Sequence, residues 1–433
     1  MQIADSVYEA LTNEEDARLC EEIGEAACRE APQNFTLILL SNCLTKLGDA
    51  IASPKTTLAW LTSMVGAPAF VLGLLVPIRE SGSMVPQLFI GGAIRRLPIR
   101  KWVWVAGSIG QAMCIAGMGF VAIYLTGMTA GWAIIGLVVC FSLCRGFCSV
   151  AAKDVLGKTV PKPKRGQLTG WSASAAGLLG AGVGVVLMTP VSDKLDESFV
   201  GLLLFFAGAL WLLAAALYAQ LTENAGETGG GRSILDALGQ LRLLATDKAF
   251  RRFVITRALL MCSALSAPFY VALAQQNYGT QVYLLGAFIA ASGVASLVSA
   301  PVWGRYADAS SKTVMIRAVL IASGVGLLVF VVNRLFPALS DSLWFLPVAY
   351  FALSLAHSGV RVGRKTYVVN LASGNKRTDY VAVSNTVIGL LLLVVGAVGA
   401  LTPVLGNDGV IGLLALMGLV GAAYGTQLPD VEA

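Results

Sequence analysis

Ionisable side chains inside strongly apolar stretches are the most informative feature of this sequence. One face of the first stretch is polar at intervals of three or four residues, and its members are Asn42, Lys46, Asp49 and Ser53. The second stretch carries Arg79 and Glu80 as neighbours, and a later stretch carries Arg145. Such intervals place side chains on one face of a helix, so we expect polar stripes that face the protein interior.

The second half of the sequence carries a matching set of polar residues. One helical stripe there consists of Ser354, His357, Arg361 and Arg364. Arg257 lies about five residues into another apolar stretch, and His357 is the only histidine. A charge at the centre of a membrane helix costs about 2.5–3.5 kcal/mol on insertion scales, so it marks a substrate or ion path by default. We therefore assign substrate binding to Lys46, Arg79, Arg145, Arg257, His357 and Arg361, and proton coupling to Asp49 and Glu80.

Each of these charges also has a purely structural interpretation. Two static ion pairs could fix the packing of the helices, namely Lys46–Asp49 and Arg79–Glu80. Arg257 lies close enough to a helix end to snorkel to the interface, and a lone histidine in a helix is often a hydrogen-bonded core residue. Lys55 lies about 9 Å beyond Asp49 at 1.5 Å per residue and could face an outer vestibule. The functional and structural interpretations both stay open at this point.

Several kinds of chemistry lack the residues they need. One histidine excludes the HExxH zinc site and leaves any Ser–His–Asp triad dependent on His357. The nearest string to a GxxxxGK[ST] phosphate-binding loop, VLGKTV at 155–160, lacks its first glycine, so direct use of ATP is not expected. Six of the eight cysteines lie inside apolar stretches, without a paired zinc motif. We expect no enzyme activity, no cofactor and no metal site.

Composition identifies the elements that must position these residues. Hydrophobic residues make up 56% of the chain and charged residues 13%, against roughly a quarter charged in a soluble domain. A membrane-spanning helix needs about 20 apolar residues, and lipid offers no partners for an open backbone. We therefore predict an all-α membrane protein. Its twelve predicted spans cover residues 36–62, 68–94, 102–126, 131–156, 168–190, 198–220, 252–277, 281–304, 313–335, 344–370, 380–403 and 409–425.

The basic residues between the spans predict the orientation of the chain. The connections placed inside carry Arg95, Arg96, Arg100, Lys101, Lys158, Lys162, Lys164, Arg165, Arg232, Arg242, Arg251, Arg252, Lys312, Lys376 and Arg377. Those placed outside carry only Lys194 and Arg334. Basic loops stay in the cytoplasm, so we expect both termini there, in a multi-pass protein of the inner (plasma) membrane.

An internal repeat divides the predicted spans into two halves. Three basic residues recur 212 positions later: Lys153, Lys164 and Arg165 return as Lys365, Lys376 and Arg377. Parallel repeats of this kind place a transport site between the halves at mid-depth. The predicted divisions are an acidic cytoplasmic tail (1–33), an N-terminal six-helix bundle (34–220), a cytoplasmic linker (221–250), a C-terminal six-helix bundle (251–426) and a C-terminal tail (427–433).

Short motifs in the connections resemble those of the major facilitator superfamily, over about residues 34–426. In that family the loop after the second helix reads roughly G-x-x-x-D-R-x-G-R-R. Its second-half counterpart here is GRYADASSK, in which Gly304, Asp308 and Lys312 match. Arg145 followed by Gly146 resembles the family's arginine motif of the fourth helix. The resemblance implies two six-helix bundles related by a pseudo-two-fold axis.

The first-half loop departs from the family pattern. In GGAIRRLPIRK the matching positions are Gly91, Arg96 and Arg100, whereas Arg95 stands in place of the family aspartate and Pro98 in place of a glycine. The resemblance implies a gating role for the matching residues of both loops, namely Gly91, Arg96, Arg100, Gly304, Asp308 and Lys312.

The predicted function is secondary active transport of a small solute by alternating access. Candidate bases outnumber candidate acids by about three even if each acid neutralises one base, which favours an organic anion, carboxylated or phosphorylated, in proton-coupled transport or exchange. One alternative is an exporter of cationic or neutral amphiphiles, and another is a scaffold or receptor that has the same fold without transport. The expected partners are a small-molecule substrate and the lipid bilayer, without nucleic acid, and we expect a monomer.

Overall fold

The structure, a computed structural model, describes residues 29–86, 90, 93–94, 96–189, 198–226, 228, 239–340, 342–371 and 376–431. These residues form helices joined by short connections, and the long helices make up twelve spans. The first six spans are Ala31–Ile51 continued by Thr57–Met64, Ala69–Met84, Lys101–Tyr124, Gly127–Thr159, Lys162–Leu187 and Ser198–Ala219. The predicted all-α fold is confirmed.

The last six spans repeat this arrangement. The seventh is built from three consecutive helices, and the six are Lys248–Leu259 with Cys262–Leu265 and Ala267–Tyr278, Val282–Ala309, Ser311–Leu335, Phe345–Asn370, Lys376–Gly396 and Thr402–Gly425. Four short helices lie between spans, at Gln240–Arg242, Leu243–Thr246, Pro337–Ser340 and Ala397–Leu401. The first two of these lie within the predicted linker (221–250), just before the seventh span.

Length and apolar composition identify most of these spans as membrane helices. Among the described residues, nine helices are long and apolar enough to cross a membrane. They cover the third to the twelfth span, because the last two are joined in one segment, Tyr380–Gly425. The described helices of the first two spans are not among them, and that of the second, Ala69–Met84, has only 16 residues.

The interruption of the first span has a local cause. Pro54 has no amide hydrogen and cannot continue the helical hydrogen bonds. The amide of Thr56 donates to the carbonyl of Ser53 at 3.3 Å instead of to the carbonyl of Ala52. The Ala52 carbonyl is therefore available to a side chain, and Lys55 lies in the turn itself.

The two halves approach each other most closely on the predicted outer side. A Cβ added to Gly73 of the second span would lie 2.6 Å from Cα of Gly399, and Gly184 of the fifth span packs equally tightly on the eighth. The side-chain amide of Gln275 donates to the carbonyl of Trp60 at 3.2 Å, which ties the seventh span to the first. Small residues let the helices close this end of the molecule.

Side chains of the interface are more accessible toward the predicted cytoplasmic side. Arg361 and Lys365 of the tenth span are exposed, as is Lys153 of the fourth. Arg145 keeps 38% of its side chain accessible although it lies at the centre of its helix. The space between the halves therefore opens toward the end that carries the predicted cytoplasmic loops.

Candidate functional site

Asp49 lies at the meeting point of three helices of the first half. Both of its carboxylate oxygens accept hydrogen bonds from Arg145 Nη1 at 2.7 Å. Arg79 Nη2 also donates to Asp49 Oδ1. One carboxylate thus links the first, second and fourth spans through hydrogen bonds from two arginines. These bonds are charge-assisted, and such bonds are stronger than those between neutral groups.

Arg79 is held in place by more than its ion pair. Its Nη1 donates to the carbonyl of Ala52 at 3.2 Å, the group left open by the helix break. Its guanidinium carbon lies 4.4 Å from the centre of the Phe141 ring. Only 6% of its side chain is accessible, against 38% for Arg145. Arg79 is therefore the fixed partner of Asp49, and Arg145 is the partner that faces the open space.

These contacts differ from the ion pairs considered from sequence. Asp49 pairs with the two arginines, not with Lys46, and Arg79 pairs with Asp49, not with Glu80. Within the described part of the chain, the side chains of Lys46 and Glu80 make no hydrogen bond or ion pair. The second acid of the cavity therefore lacks the adjacent base that the sequence suggested for it.

A polar cavity of about 120 Å³ lies on the side of the second half, next to the break in the first span. The tenth span provides most of its wall, and the seventh and eighth spans and the break in the first span provide the rest. Its polar lining consists of Lys55, Ser263, Ser292, Ser296, Tyr350, Ser354, His357, Ser358 and Arg361. Ala267 and Leu353 complete it. We call this space the serine cavity.

Two cations, Lys55 and Arg361, face the serine cavity. Among the described residues, the side chains of Lys55 and Arg361 form no hydrogen bond and no ion pair. His357 contacts a hydroxyl, since its Nδ1 lies 3.1 Å from Ser263 Oγ. No described carboxylate lines the cavity. The electrostatic character of this space is therefore positive.

Part of this cavity was not predicted from the sequence. Lys55 was expected in an outer vestibule, and the break at Pro54 turns it into the cavity wall instead. The hydroxyl groups of the eighth span were not singled out either, although Ser292 and Ser296 are four residues apart in an apolar stretch. That spacing is the available signal, because it places both on one face of a helix.

Further bases lie toward the predicted cytoplasmic side. Arg257 is buried and donates to Ser384 Oγ at 2.7 Å and to Asn385 Oδ1 at 2.9 Å, so it ties the seventh span to the eleventh. Arg364 has a buried Nε atom without a hydrogen-bond partner. Arg257 is therefore a packing contact in this conformation, and Arg364 adds positive charge along the open space.

The predicted gate residue Arg100 lies in an ionic cluster at the cytoplasmic end of the first half. Its guanidinium pairs with Asp154 of the fourth span. Its main-chain amide donates to the buried carboxylate of Glu223 at 2.9 Å, and Lys158 Nζ lies 3.0 Å from the same carboxylate. The loop before the third span is thereby attached to the fourth span and to the segment after the sixth.

The other predicted gate residues do not form a described cluster. Gly91 lies outside the described residues, and Arg96 is exposed. Gly304 belongs to the eighth span, and a Cβ placed there would meet no atom within 4 Å. Asp308 lies near the end of the same helix, with its side chain outside the described atoms, and Lys312 opens the ninth span.

Twelve spans in two packed halves, with charged and hydroxylated side chains around the space between them, define a polytopic membrane transport protein. The chain belongs to the Major Facilitator Superfamily, whose sequence profile matches residues 38–391. This confirms the resemblance seen in the loop motifs. Among the described residues, no group of three or more His, Cys, Asp or Glu side chains could hold a metal ion.

Solved structures share the fold over almost the whole chain. A D-xylose–proton symporter aligns with a TM-score of 0.69 at 12% identity, over 92% of this chain and 98% of that one. A POT family transporter in complex with a thioalcohol-conjugated peptide gives 0.68 at 12% identity, over 92% and 98%. A mutant of the nucleoside transporter NupG gives 0.67 at 12% identity, over 90% and 99%. Comparison with curated protein sequences finds no match. Family and fold support secondary transport as the general function.

Proposed function

We propose that the protein is a secondary active transporter of a small organic anion, carboxylated or phosphorylated, and that Lys55 and Arg361 bind the anionic group. The observation that carries this proposal is the pair of cations that face the serine cavity without a described hydrogen bond or ion pair. Both side chains are thus available to a ligand of opposite charge, which would complete the site. Arginine suits this role because its planar group binds carboxylate or phosphate through two hydrogen bonds.

The remaining charged residues serve the transport cycle in this proposal. Asp49 holds Arg79 and Arg145 in the present conformation, and rearrangement of this contact accompanies the exchange between inward- and outward-facing states. Asp49 and Glu80 are the candidate proton-coupling acids. Glu80 is the stronger candidate because its side chain makes no described hydrogen bond or ion pair. It can therefore take up a proton without breaking an ion pair. Lys46, His357 and Arg257 line the route or support it.

Export of cationic amphiphiles is the second candidate. It would need a carboxylate that is free to bind the substrate. Glu80 makes no described hydrogen bond or ion pair, but it is not among the residues that line the serine cavity. Asp49 is not free, because two arginines already occupy its oxygens. The apolar lining that an amphiphile needs is also small in the serine cavity, where Ala267 and Leu353 are the apolar members. The charge of the ligand therefore distinguishes the two candidates.

The charge of the ligand can be tested on purified protein. Thermal stabilisation is measured with a panel of carboxylates and organic phosphates, each paired with its neutral amide or ester. We expect stabilisation by at least one anion and none by its neutral partner. An anion that binds is then tested for uptake into proteoliposomes, which separates transport from scaffold or receptor functions.

Variants connect the ligand to the cavity. Loss of a hydrogen bond to a charged group costs about 1.5–3 kcal/mol, so Lys55→Gln and Arg361→Gln should each weaken anion binding by roughly tenfold or more. Arg317→Gln is the matched control, because this exposed arginine lines a separate groove beside Trp303 and Tyr306. A cationic ligand that binds tightly and is unaffected by both cavity variants would overturn the anion proposal.

A further inference from the structure

Some serine hydroxyls in the helices of this protein donate to a backbone carbonyl of their own helix, and others, such as Ser81 and Ser108, donate to a carbonyl of a neighbouring helix. Ser142 donates to the carbonyl of Val138 at 2.6 Å, and Ser172 donates to that of Leu168 at 2.7 Å. Such bonds satisfy the hydroxyl where no water or ligand is available. A serine hydroxyl without such a bond is available to a ligand only where it also lines a cavity.

Three serines of the serine cavity have hydroxyl groups that are available to a ligand. Ser292 and Ser296 of the eighth span and Ser358 of the tenth make no side-chain hydrogen bond to any described group, and all three line the cavity. Each hydroxyl can donate one hydrogen bond and accept two. Their hydroxyl groups can therefore form hydrogen bonds with a ligand in the cavity that Lys55 and Arg361 also line.

The hydroxyls come from two spans, the eighth and the tenth. Ser292 and Ser296 are four residues apart and share one face of the eighth span. Ser358 follows His357 on the tenth span, three residues before Arg361. Carboxylate or phosphate alone would be satisfied by the two cations, and an alkyl chain would leave the hydroxyls unpaired. Ser358 is buried, Ser292 is half-buried and Ser296 is exposed to the open space. A ligand that displaces water from these hydroxyls without replacing its hydrogen bonds therefore binds less tightly than one that pairs with them.

We propose that the ligand of the serine cavity is a polyhydroxylated organic anion, whose anionic group binds Lys55 and Arg361 and whose hydroxyls pair with Ser292, Ser296 and Ser358. This inference rests on the proposed transport of an organic anion and adds that the hydroxyl groups of the ligand are recognised as well. It assigns a specificity role to the eighth span, which carries no charged residue in the cavity wall.

The experiment compares probes that differ in one property at a time. Gluconate has both an anionic group and hydroxyls, hexanoate has only the anionic group, and glucitol has only the hydroxyls. Glycerol 3-phosphate, propyl phosphate and glycerol form the same set for phosphate. Dissociation constants are measured on the purified full-length protein by calorimetry. We expect at least one hydroxylated anion to bind at least tenfold more tightly than both of its partners.

Substitution then locates the hydroxyl contacts. Ser292→Ala and Ser296→Ala should each weaken binding of the hydroxylated anion by about tenfold, without changing the weak binding of the unhydroxylated one. Ser299→Ala is the matched control on the same helix, because its hydroxyl already donates to the carbonyl of Ser296 at 3.2 Å. Melting curves of the unliganded variants establish that each one folds.

The outcomes separate this inference from the proposal beneath it. If an anion binds but neither hydroxylated anion binds more tightly than its unhydroxylated counterpart, the hydroxyl inference is overturned and the anion proposal stands. If glucitol and glycerol bind as tightly as gluconate and glycerol 3-phosphate, both are overturned. Absence of binding by gluconate and by glycerol 3-phosphate overturns the inference, as does a hydroxylated anion whose affinity survives the Ser292→Ala/Ser296→Ala double substitution.

Discussion

The Asp49 carboxylate of the first span connects three helices of the first half, because arginines of the second and fourth spans both bind it. Its two arginine partners have different surroundings: Arg79 also binds the Ala52 carbonyl and stacks on Phe141, whereas Arg145 is the more accessible partner. A conformational change can therefore exchange the Arg145 contact and leave the Arg79 contact in place. This asymmetry makes Asp49 both a packing residue and a candidate for the coupling of transport to a gradient.

Asp49→Asn is expected to abolish gradient-driven accumulation of the substrate while exchange of substrate across the membrane is retained. The amide cannot carry the negative charge that holds both arginines, and removal of one partner from a buried pair costs about 3–5 kcal/mol of stability. The measurements are proton-driven uptake and counterflow in proteoliposomes, together with the melting temperature. Full proton-driven accumulation in this variant would exclude Asp49 from coupling.

The matched control for this substitution is Asp408→Asn. Asp408 is also a buried aspartate paired with an arginine, Arg334, but the pair lies in the second half between the ninth and twelfth spans. We expect a loss of stability with retained coupling. Glu80→Gln is the informative companion, because a loss of accumulation there without a loss of stability would identify Glu80 as the proton acceptor.

At the scale of helices, the apolar stretches were sufficient to predict the spans, and the all-α fold follows from them. Which charges pair was not predictable, for a geometric reason. Arg79 and Glu80 are neighbours in sequence, but adjacent residues of a helix project about 100° apart and do not face each other. Arg79 points to Asp49, thirty positions earlier in the chain. Contacts between helices decide the pairing, and one sequence does not contain them.

Local chemistry explains the other difference between prediction and structure. Pro54 lies inside a stretch that was predicted as one continuous helix, and the structure interrupts the helix there. Proline can kink, break or be tolerated in a membrane helix, depending on what satisfies the freed carbonyls. Here Arg79 satisfies the carbonyl of Ala52, and this partner comes from another span. The break, and with it the position of Lys55, therefore depends on tertiary contacts.

Close packing between the second and eleventh spans provides a prediction at the same scale. A Cβ at Gly73 would lie 2.6 Å from Cα of Gly399 and 2.7 Å from the carbonyl oxygen of Gly396, and backbone cannot move aside as a side chain can. Gly73→Ala should therefore open the predicted outer end and shift the population away from the present conformation. Transport should fall at least several-fold with an unchanged helical content.

The readout of this shift is the accessibility of the outer end to a membrane-impermeant thiol reagent at Thr62→Cys, a buried position of the first span near that end. The reaction rate should rise in the Gly73→Ala background. Gly136→Ala is the matched control, since a Cβ at this glycine of the fourth span meets nothing within 4 Å. Equal rates in the two glycine variants would show that the Gly73 contact does not hold the outer end closed.

At the scale of the whole molecule, the two halves are in close contact at one end and are separated by an open space at the other. If the basic loops are cytoplasmic, the structure is open to the cytoplasm and closed to the outside. Arg361 and Lys365 then face the cytoplasm. An exported anion would enter the protein from this side, and an imported anion would be released to it. Alternating access requires that this asymmetry reverse. The assignment of sides is therefore the premise on which every directional statement depends.

The orientation is tested with single cysteines in a background from which the eight native cysteines have been removed. Thr280 is exposed between the seventh and eighth spans, and Asn224 is exposed just after the sixth. Basic residues flank the second position and not the first, so Thr280→Cys should react with an impermeant reagent in intact cells. Asn224→Cys should react only after permeabilisation. The reverse pattern would place both termini outside and turn the open space toward the exterior, and the predicted gate loops would then have to act from the opposite side of the membrane.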